Sequence, residues 1–383
     1  MFNTSYIEIS RKAYRSNIRY LKGIIGKDAK FSSVIKGNAY GHGVDNIVPL
    51  AEEAGINHFS VFSAKEAYDA LDVMSPGSQI MIMGLLDDAE IEWAIWNDVE
   101  FFVFDFSRLQ QAIETSKRLN KKARIHIEVE TGFNRTGFVY DELKTLMAFL
   151  KKNSEYFIFK GLCTHYAGAE SLSNYLRIKN QIALFRKINR YFSRHAITPE
   201  IKHTACSAAA LTYPNTIMDM VRFGIAQYGF WPSPETQMFR FRKETGNESP
   251  LRRMISWKSK VMVIKKVKAG EFIGYGSSYL ANKNMKIAVI PVGYANGFSR
   301  ALSNTGRVLI RGRRVPVIGT VTMNTMTVNI TDIPGVERGD EVVIIGKQKR
   351  LSIGISSFCE MSDQLNYQLL TRLPADIPRF IVA

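Results

Sequence analysis

The segment VIKGNAYGHG (Val34–Gly43) places a lysine between an apolar run and a glycine-rich loop. Lys36 directly follows the strand-like run FSSVI (Phe31–Ile35), and three of the next seven residues are glycine. In barrels and open parallel sheets, the carboxyl end of a strand faces the active site. A lysine held there and partly removed from water has a lowered pKa and can form a Schiff base with an aldehyde. A lysine at a strand end is also a common surface charge, so this segment alone leaves both interpretations open.

Short apolar runs alternate with helical patterns on both sides of this segment. We predict strands at Phe31–Ile35, His58–Phe62, Ile80–Gly84, Glu100–Phe104, Ile125–Val129, Phe159–His165, Ile201–Ala205 and Val221–Ile225. We predict helices at Asp45–Ala54, Ala64–Leu71, Ser107–Leu119, Asp141–Lys152 and Leu172–His195. This alternation is typical of βαβ units around a buried parallel sheet. A doubly wound sheet also alternates but usually has fewer strands, so eight strands favour an α/β fold of the (β/α)8 TIM-barrel type.

The pattern changes after Trp231. Residues 232–250 are polar and rich in proline, which is typical of a linker or an excursion. Beyond them, short strands separated by glycine and Asn/Asp turns predict a mostly-β C-terminal domain. The sequence therefore predicts a barrel over residues 1–235 and a β domain over residues 250–383.

Composition narrows the class of protein. The chain has 383 residues with 46% hydrophobic and 22% charged residues, which fits about two globular domains. We expect a cytoplasmic protein that does not bind membranes, because no apolar stretch approaches about 18 residues and the N-terminus lacks a signal pattern. Three cysteines without CxxC spacing argue against disulfides and a metal site. The net charge of +16 lacks any nucleic-acid-binding motif, so we expect no nucleic acid partner.

The Val34–Gly43 segment is similar to the cofactor-lysine motif of alanine racemases, a family with a barrel that binds pyridoxal 5'-phosphate (PLP) followed by a β domain. Further motifs in the family's order extend to Arg379, so the resemblance covers nearly the whole chain. It implies that Lys36 carries PLP and is one of two catalytic bases. It also implies that Tyr40 contacts the phosphate and that His165, in GLCTHYA, packs against the pyridine ring.

The resemblance continues in the two segments that end the predicted barrel. HTACSA (His203–Ala208) matches the family segment whose serine binds phosphate, which is Ser207 here. In VRFGI (Val221–Ile225), Arg222 would bond the pyridine nitrogen, and the backbone amides of Gly224 and Ile225 would hold phosphate. The barrel prediction agrees independently, because loops after strands seven and eight commonly form a phosphate site.

The β domain carries the remaining motifs. The second base resembles Tyr275, in GYGSSY, and Tyr294 matches a tyrosine that lines the substrate entrance. Met323 would offer its backbone amide to the substrate carboxylate. In the family both tyrosines come from the partner subunit, so the resemblance implies a homodimer with shared active sites. Two bases on opposite faces of the substrate's α-carbon would remove and return the proton, while PLP delocalises the carbanion.

One departure from the family lies in EVETGFNR (Glu128–Arg135), where the family usually has a lysine, often carbamylated, at the position of Glu128. That modified lysine is an anion that orients the arginine on the cofactor's phenolic oxygen. Arg135 would be that arginine and would also contact the substrate. We expect Glu128 to supply the carboxylate directly by pairing with Arg135.

A second departure is Ala375, which stands where the family often has a tyrosine that touches phosphate and narrows the pocket. Its loss predicts weaker cofactor binding, wider substrate tolerance, or both. Interconversion of L- and D-alanine is the favoured activity, with supply of D-alanine for cell-wall peptide as the implied role. A serine-accepting or broad-specificity racemase is the alternative. A PLP-barrel decarboxylase would need a carboxylate at Arg222, and a non-catalytic PLP-binding protein usually ends after the barrel.

Overall fold

The computed structural model describes residues 3–241, 249–355 and 366–383. The chain folds into two compact units that we call the barrel unit and the β unit. The barrel unit contains residues 13–36 and 47–253, and the β unit contains residues 1–12, 37–46 and 254–383. The β unit thus includes the first twelve residues and residues 37–46 in addition to the C-terminal strands. The division predicted from the sequence placed both of these segments in the barrel. Strands and helices are numbered below along the chain.

Eight parallel strands form the centre of the barrel unit, which confirms the predicted fold class. They are β2 Lys30–Val34, β3 His58–Val61, β4 Gln79–Ile82, β5 Glu100–Val103, β6 Ala123–Glu128, β7 Phe157–Cys163, β8 Ile201–His203 and β9 Met220–Phe223. They pair in the order β8-β7-β6-β5-β4-β3-β2-β9. The ring is nearly closed between β8 and β9, where Arg222 N donates to Ala205 O at 3.0 Å. Because helices cover the outside and side chains fill the inside, β3, β5 and β9 are buried at every position.

Helices, some of which begin at capping side chains, follow the strands. They are α1 Arg11–Ile25, α2 Val44–Glu53, α3 Ala64–Leu71, α4 Asp88–Trp96, α5 Phe106–Leu119, α6 Leu143–Lys152, α7 Tyr175–Arg194, α8 Ser207–Thr212 and α9 Pro234–Phe241. Ser63 caps α3, and Asp87 forms a capping box with Glu90 at α4. Asp105 accepts a hydrogen bond from Arg108 N at 2.8 Å at the start of α5. These caps explain why the helices begin at the strand ends that line the site.

A left-handed turn follows β2 instead of an ordinary helix. Gly37, Asn38 and Ala39 have φ values of 63°, 52° and 51°, and Tyr40 has a φ of 52°. Asn38 supports the turn through its side-chain oxygen, which accepts from Val44 N at 3.0 Å. Gly41 is required to be glycine, because a Cβ there would lie 1.9 Å from Leu370 O. Gly37 and Gly41 adopt the left-handed region without strain, whereas Asn38, Ala39 and Tyr40 adopt it at a cost that the surrounding structure must offset.

The β unit is a ten-stranded sheet that includes both ends of the chain. Its strands are β1 Ser5–Ser10, β10 Ile255–Lys260, β11 Val263–Val267, β12 Met285–Ile290, β13 Arg307–Ile310, β14 Arg313–Ile318, β15 Met326–Asn329, β16 Glu341–Gln348, β17 Leu351–Ile353 and β18 Arg379–Val382. Strand β1 pairs antiparallel with β10 and parallel with β18. The sequence analysis did not predict β1, because its partners lie far away along the chain.

The predicted excursion at 232–250 begins with helix α9, while residues 242–248 lie outside the described part of the chain. The carboxylate of Glu235 accepts hydrogen bonds from the Ser171 hydroxyl, at 3.2 Å, and from Leu172 N. Ser233 Oγ donates to Glu170 O at 2.5 Å. The start of the excursion is therefore attached to the loop after β7.

One short helix, α10 Asn366–Thr371, precedes the last strand. Among the described residues, no helix combines the length and the apolar character needed to cross a membrane.

Candidate active site

Lys36 lies two residues beyond the end of β2, at the carboxyl end of the barrel, as predicted. Ile35 N still donates to Ser60 O of β3 at 2.9 Å, so the backbone is fixed up to the lysine. Desolvation lowers the pKa of the Lys36 amine, and the positive charges of Arg135 and Arg222 lower that pKa further. Glu66 opposes this shift only in part. A larger fraction of the amine is therefore neutral and nucleophilic at neutral pH than for an ordinary lysine.

Arg222 points into the barrel from β9 and is 4% exposed. Its Nη1 donates to His203 O at 2.9 Å and also to His203 Nδ1. Its Nη2 donates to Thr164 O at 2.8 Å. The guanidinium is thus held by strands β7 and β8 from two sides, so its orientation is set before any ligand arrives.

Ser207 and the loop after β9 form a small cradle of hydrogen-bond donors. The buried Ser207 hydroxyl accepts from Gly224 N at 3.1 Å and more weakly from Ala226 N at 3.5 Å. Gly224 and Ile225 begin a short 3-10 helix, Ile225–Tyr228. Both N–H groups converge on Ser207 Oγ, and the loop after the last strand of a barrel is a common phosphate site.

Two residues of this loop that the sequence analysis missed connect it to β2. Gln227 Nε2 donates to Val34 O at 3.1 Å and to Phe223 O at 2.7 Å. The Tyr228 hydroxyl donates to Val34 O at 2.9 Å. The anion cradle and the lysine-bearing strand are therefore fixed to each other. No local pattern predicts these contacts, because a glutamine and a tyrosine after a strand are not distinctive.

His165 lies at the end of β7 beside the same positive charges. Desolvation, with Arg222, Arg135 and Lys36 nearby, lowers the pKa of His165 to about 3. Its ring is 5.7 Å from the ring of Phe133, measured between centroids. His165 is therefore a neutral aromatic surface at physiological pH, which suits packing against another ring.

The expected pair between Glu128 and Arg135 is not formed, which corrects that prediction. Glu128 Oε2 accepts from Thr136 Oγ1 at 2.7 Å, and the Arg135 guanidinium lies 4.3 Å from the centroid of the Phe133 ring. Thr136 is the nearer donor, and Arg135 stacks on an aromatic ring instead. Burial raises the pKa of Glu128, although Thr136, Arg135 and Arg222 offset part of the effect. Arg135 thus influences Glu128 only through charge.

Glu130 organises the loop that carries Arg135. Its carboxylate accepts from the backbone N–H groups of Gly132, Phe133, Asn134 and Arg135, with distances of 2.7 Å to Phe133 N and 2.8 Å to Asn134 N. A carboxylate that caps four successive amides fixes the loop strongly. The sequence analysis named Glu128 and overlooked this second carboxylate.

The β unit brings its three predicted site residues to one group of loops. Tyr275 O accepts from Thr320 Oγ1 at 3.0 Å, and Tyr294 N donates to Thr322 O at 3.0 Å. Met323 O accepts from Ala295 N at 2.9 Å. A Cβ on Gly293 would lie 2.2 Å from Thr322 O, so only glycine permits this approach of the loops. The backbones of the three residues are fixed, while their side chains are 75%, 43% and 55% exposed. Tyr40, in the left-handed turn, is half-buried in the same unit.

The barrel residues fit a phosphorylated carbonyl cofactor. The positive charges of Arg135 and Arg222 lower the pKa of Lys36, and the same two charges offset part of the burial that raises the pKa of Glu128. Such a surplus of positive charge favours an anionic ligand. The desolvated amine and the donor cradle match the two functional groups of PLP, its aldehyde and its phosphate. Among the described residues there is no cluster of ligands for a metal ion.

The fold and these groups define the class of barrel enzymes that hold a phosphorylated carbonyl cofactor on a lysine. Family models described as "Alanine racemase, N-terminal domain" and "Alanine racemase, C-terminal domain" match residues 9–232 and 254–381. The chain belongs to the alanine racemase family, whose members depend on PLP.

Individual relatives agree over the full length. The alanine racemase of Leptospira interrogans serovar copenhageni is 33% identical over 380 residues, covering 99% of this chain and 96% of that protein. The crystal structure of alanine racemase from Streptomyces lavendulae has a TM-score of 0.90 at 28% identity and covers 100% of this chain and 98% of that one. The Bartonella henselae alanine racemase, solved with covalently bound pyridoxal phosphate, has a TM-score of 0.85 at 25% identity, with coverage of 99% and 100%.

Proposed function

We propose that this protein is a PLP-dependent racemase that interconverts L- and D-alanine, with Lys36 and Tyr275 of the partner subunit as its two bases. The observation that carries the proposal is the position of Lys36 at the carboxyl end of the barrel, beside Arg135 and Arg222, whose charges help to lower the pKa of its amine. Membership of the alanine racemase family points to the same activity. PLP, when bound, supplies an electron sink for the carbanion that forms at the α-carbon.

The barrel residues divide the binding of the cofactor among them. Lys36 would hold it covalently through Nζ, and Ser207, Gly224 and Ile225 would hold its phosphate. The resemblance to the family assigns a phosphate contact to Tyr40 as well. His165 would present a neutral ring to the pyridine face. The lowered pKa of Lys36 suits a group that must accept and return a proton near neutral pH.

Arg222 would donate to the pyridine nitrogen. A guanidinium keeps its proton under physiological conditions, so it can donate a hydrogen bond without transferring the proton. The ring nitrogen then stays unprotonated, which weakens the electron sink and restrains transamination. A decarboxylase of the same barrel class would have a carboxylate at this position, so Arg222 supports racemisation.

The exposed loops of the β unit support a homodimer in which each chain completes its partner's site. Phe272 and Leu280 form an isolated β-bridge on either side of the segment that carries Tyr275, and both have exposed apolar side chains. A tyrosine that is 75% exposed lacks the partial desolvation that acid–base catalysis needs, and a second subunit would provide it. Tyr294 would line the entrance of the shared site. Met323, with Arg135, would bind the substrate carboxylate.

Mixed dimers test the shared site. A Lys36→Ala chain and a Tyr275→Phe chain, each inactive alone, would form mixed dimers in which one of the two sites has both bases. Random exchange of subunits makes about half of the dimers mixed, so we expect about a quarter of the wild-type activity. Activity that stays at the level of the separate variants after proven exchange contradicts a shared site.

The proposed setting is the cytoplasm, with D-alanine passing to cell-wall peptide synthesis. The support is the membership of a family of amino-acid racemases and the absence of a membrane-crossing helix among the described residues.

The substrate is tested by racemisation of a panel of L-amino acids with added PLP, followed by chiral chromatography. We expect alanine to be converted fastest. The exposed position of Ala375, where the family often has a tyrosine, favours a broad-specificity racemase as the second candidate. Faster conversion of serine or a larger amino acid would keep the mechanism and change the substrate. No conversion of any amino acid contradicts the proposed activity.

A further inference from the structure

A continuous row of buried side chains crosses the interior of the barrel and ends at Arg222. Glu100 Oε2 lies 2.8 Å from His126 Nε2, and His126 Nδ1 lies 2.8 Å from His203 Nε2. His203 Nδ1 in turn contacts Arg222 Nη1. All four residues are at most 4% exposed, and they come from strands β5, β6, β8 and β9. The row therefore connects the predicted cofactor site to a carboxylate on another strand.

Donor and acceptor chemistry fixes the direction of every bond in this row. Arginine can only donate, so His203 Nδ1 must be the unprotonated nitrogen of its ring. A neutral His203 then carries its proton on Nε2 and donates to His126 Nδ1. His126 consequently carries its proton on Nε2 and donates to the Glu100 carboxylate, which can only accept. Each histidine has one allowed tautomer, and the chain of bonds runs one way, from Arg222 to Glu100.

The protonation states agree with this direction. Burial and the positive charge of Arg222 lower the pKa of His203 well below its ordinary value, which keeps the ring neutral. Burial opposes ionisation of Glu100, but hydrogen bonds from His126 and His58 outweigh it and lower the pKa of that carboxyl. Lys160 Nζ lies 3.7 Å from Glu100 Oε1 and balances the negative charge. The row thus ends on an ionised acceptor.

Gly161 of β7 leaves the space in which the two histidines meet. A Cβ on Gly161 would lie 2.1 Å from His126 Nδ1 and 2.9 Å from His203 Nε2, the two atoms of the central hydrogen bond. Its backbone does not have a positive φ, so conformation does not require glycine here. Gly161 therefore lacks the side chain that would otherwise separate the rings of His126 and His203.

We propose that Glu100, His126 and His203 are positioning residues that hold Arg222 in a single donor orientation toward the cofactor ring. The claim about the cofactor rests on the proposed function, because it assumes that Arg222 faces the pyridine nitrogen. The claim about the row does not, because it concerns only bonds within the protein. Loss of the carboxylate would weaken the last bond, loosen Arg222 and let the ring nitrogen take up a proton.

Nitrogen NMR on the holoenzyme tests the row directly. The chain has six histidines, so ¹⁵N labelling of histidine gives a small set of signals. We expect His126 and His203 to be neutral Nε2–H tautomers. We also expect a ¹⁵N–¹⁵N coupling through the hydrogen bond between His203 Nε2 and His126 Nδ1. A protonated His203, an Nδ1–H tautomer of His203, or the absence of the coupling would overturn the proposal.

Two variants interrupt the row at different bonds. Gly161→Ala should abolish the ¹⁵N–¹⁵N coupling, and Gly23→Ala, where a Cβ meets nothing within 4 Å, is its control. Glu100→Gln keeps the shape but replaces a charged acceptor by a neutral one, so the His126 Nε2–H proton signal should move upfield. Glu100→Gln also keeps the proposal testable if Gly161→Ala fails to fold.

The effect on Arg222 is measured by the side reaction that the row would restrain. In that reaction alanine and the cofactor aldehyde exchange amino and carbonyl groups, giving pyruvate and the cofactor amine. A charge-assisted hydrogen bond contributes enough that Glu100→Gln should release about tenfold more pyruvate per racemisation.

His58→Gln is the matched control, because His58 also donates to Glu100, at 3.3 Å, but does not lie between Glu100 and Arg222. It should leave pyruvate release and the coupling unchanged. Equal pyruvate release by the Glu100 and His58 variants would overturn the positioning role. A wild-type protein with the predicted tautomers and coupling but without racemisation would leave the row intact and contradict only the proposed function.

Discussion

The two units of the molecule carry their predicted site residues in opposite ways. In the barrel unit Arg222, Ser207 and Glu128 are buried, and hydrogen bonds within the unit fix their side chains. In the β unit Tyr275 and Met323 have exposed side chains, and hydrogen bonds fix their backbones instead. The barrel groups are therefore oriented before a ligand arrives. The exposed groups have fixed backbones, while their side chains are open to solvent.

The largest expected effect in the barrel unit is the loss of activity in Lys36→Ala. Loss of the amine removes both the covalent attachment and one base, so we expect racemisation to fall by at least about 10³-fold. The visible absorption of the bound cofactor should also disappear. Lys36→Arg should be equally inactive, because a guanidinium keeps its proton, and Lys65→Ala at the surface should be unaffected. Retained turnover by Lys36→Ala would show that the barrel lysine is not a base.

The variant Tyr275→Phe tests whether the β unit supplies the second base. We expect kcat/KM to fall by about 10²- to 10⁴-fold, the range for a lost acid–base group. Because L- and D-alanine are equal in free energy, kcat/KM must fall equally in both directions. The cofactor spectrum should stay, which separates this variant from the lysine variant. Tyr279→Phe, four residues away and half-buried, is the control, and an equal loss there would assign the effect to packing.

The variant Glu128→Gln tests whether the buried Glu128 carboxylate supports activity while it lowers the stability of the fold. Burial raises the folded-state pKa of Glu128 above its unfolded value, so the folded protein binds more protons between those two values. Stability therefore falls as the pH rises through this window, and the neutral amide removes that loss. We expect a higher Tm for Glu128→Gln at neutral pH, with the difference vanishing in acid. We also expect turnover to be lower by about fivefold, because a charge near Arg135 is lost.

Two comparisons sharpen this prediction. Glu130→Gln should lower both Tm and turnover, because Glu130 caps the Arg135 loop and its charge is compensated there. Added bicarbonate should not change the wild-type rate, since Glu128 needs no carbamylation. A strong rise in activity with bicarbonate, or a lower Tm for Glu128→Gln, would contradict the role given to Glu128.

The smallest effect is expected for Ala375→Tyr. A tyrosine there would restore one phosphate hydrogen bond, worth about 1 kcal/mol, and tighten PLP binding by about fivefold. It should also lower the rate with serine relative to alanine, since the pocket becomes narrower. Fluorescence titration of the apoenzyme with PLP and the chiral assay measure the two effects. Unchanged affinity and unchanged selectivity would show that position 375 does not reach the site.

The positions of the barrel strands along the chain could be predicted from local sequence. All eight predicted strands are present, and their ends lie within two residues of the predicted ends, because each is a short run of apolar residues bounded by polar ones. The helix Ala64–Leu71 has its predicted ends, since Ser63 is a recognisable cap. The predicted roles of the site residues stay predictions.

Contacts between distant segments could not be predicted from local sequence patterns. Strand β1 pairs with strands more than 240 residues away, and a six-residue pattern carries no information about such partners. Glu128 binds Thr136 and not Arg135, because neighbouring side chains compete for one carboxylate and only their positions choose between them. Gly161 matters because two histidines meet beside it. Local patterns act over a few residues and so specify elements and their chemistry, whereas hydrogen-bond partners depend on distances that arise when the strands come together.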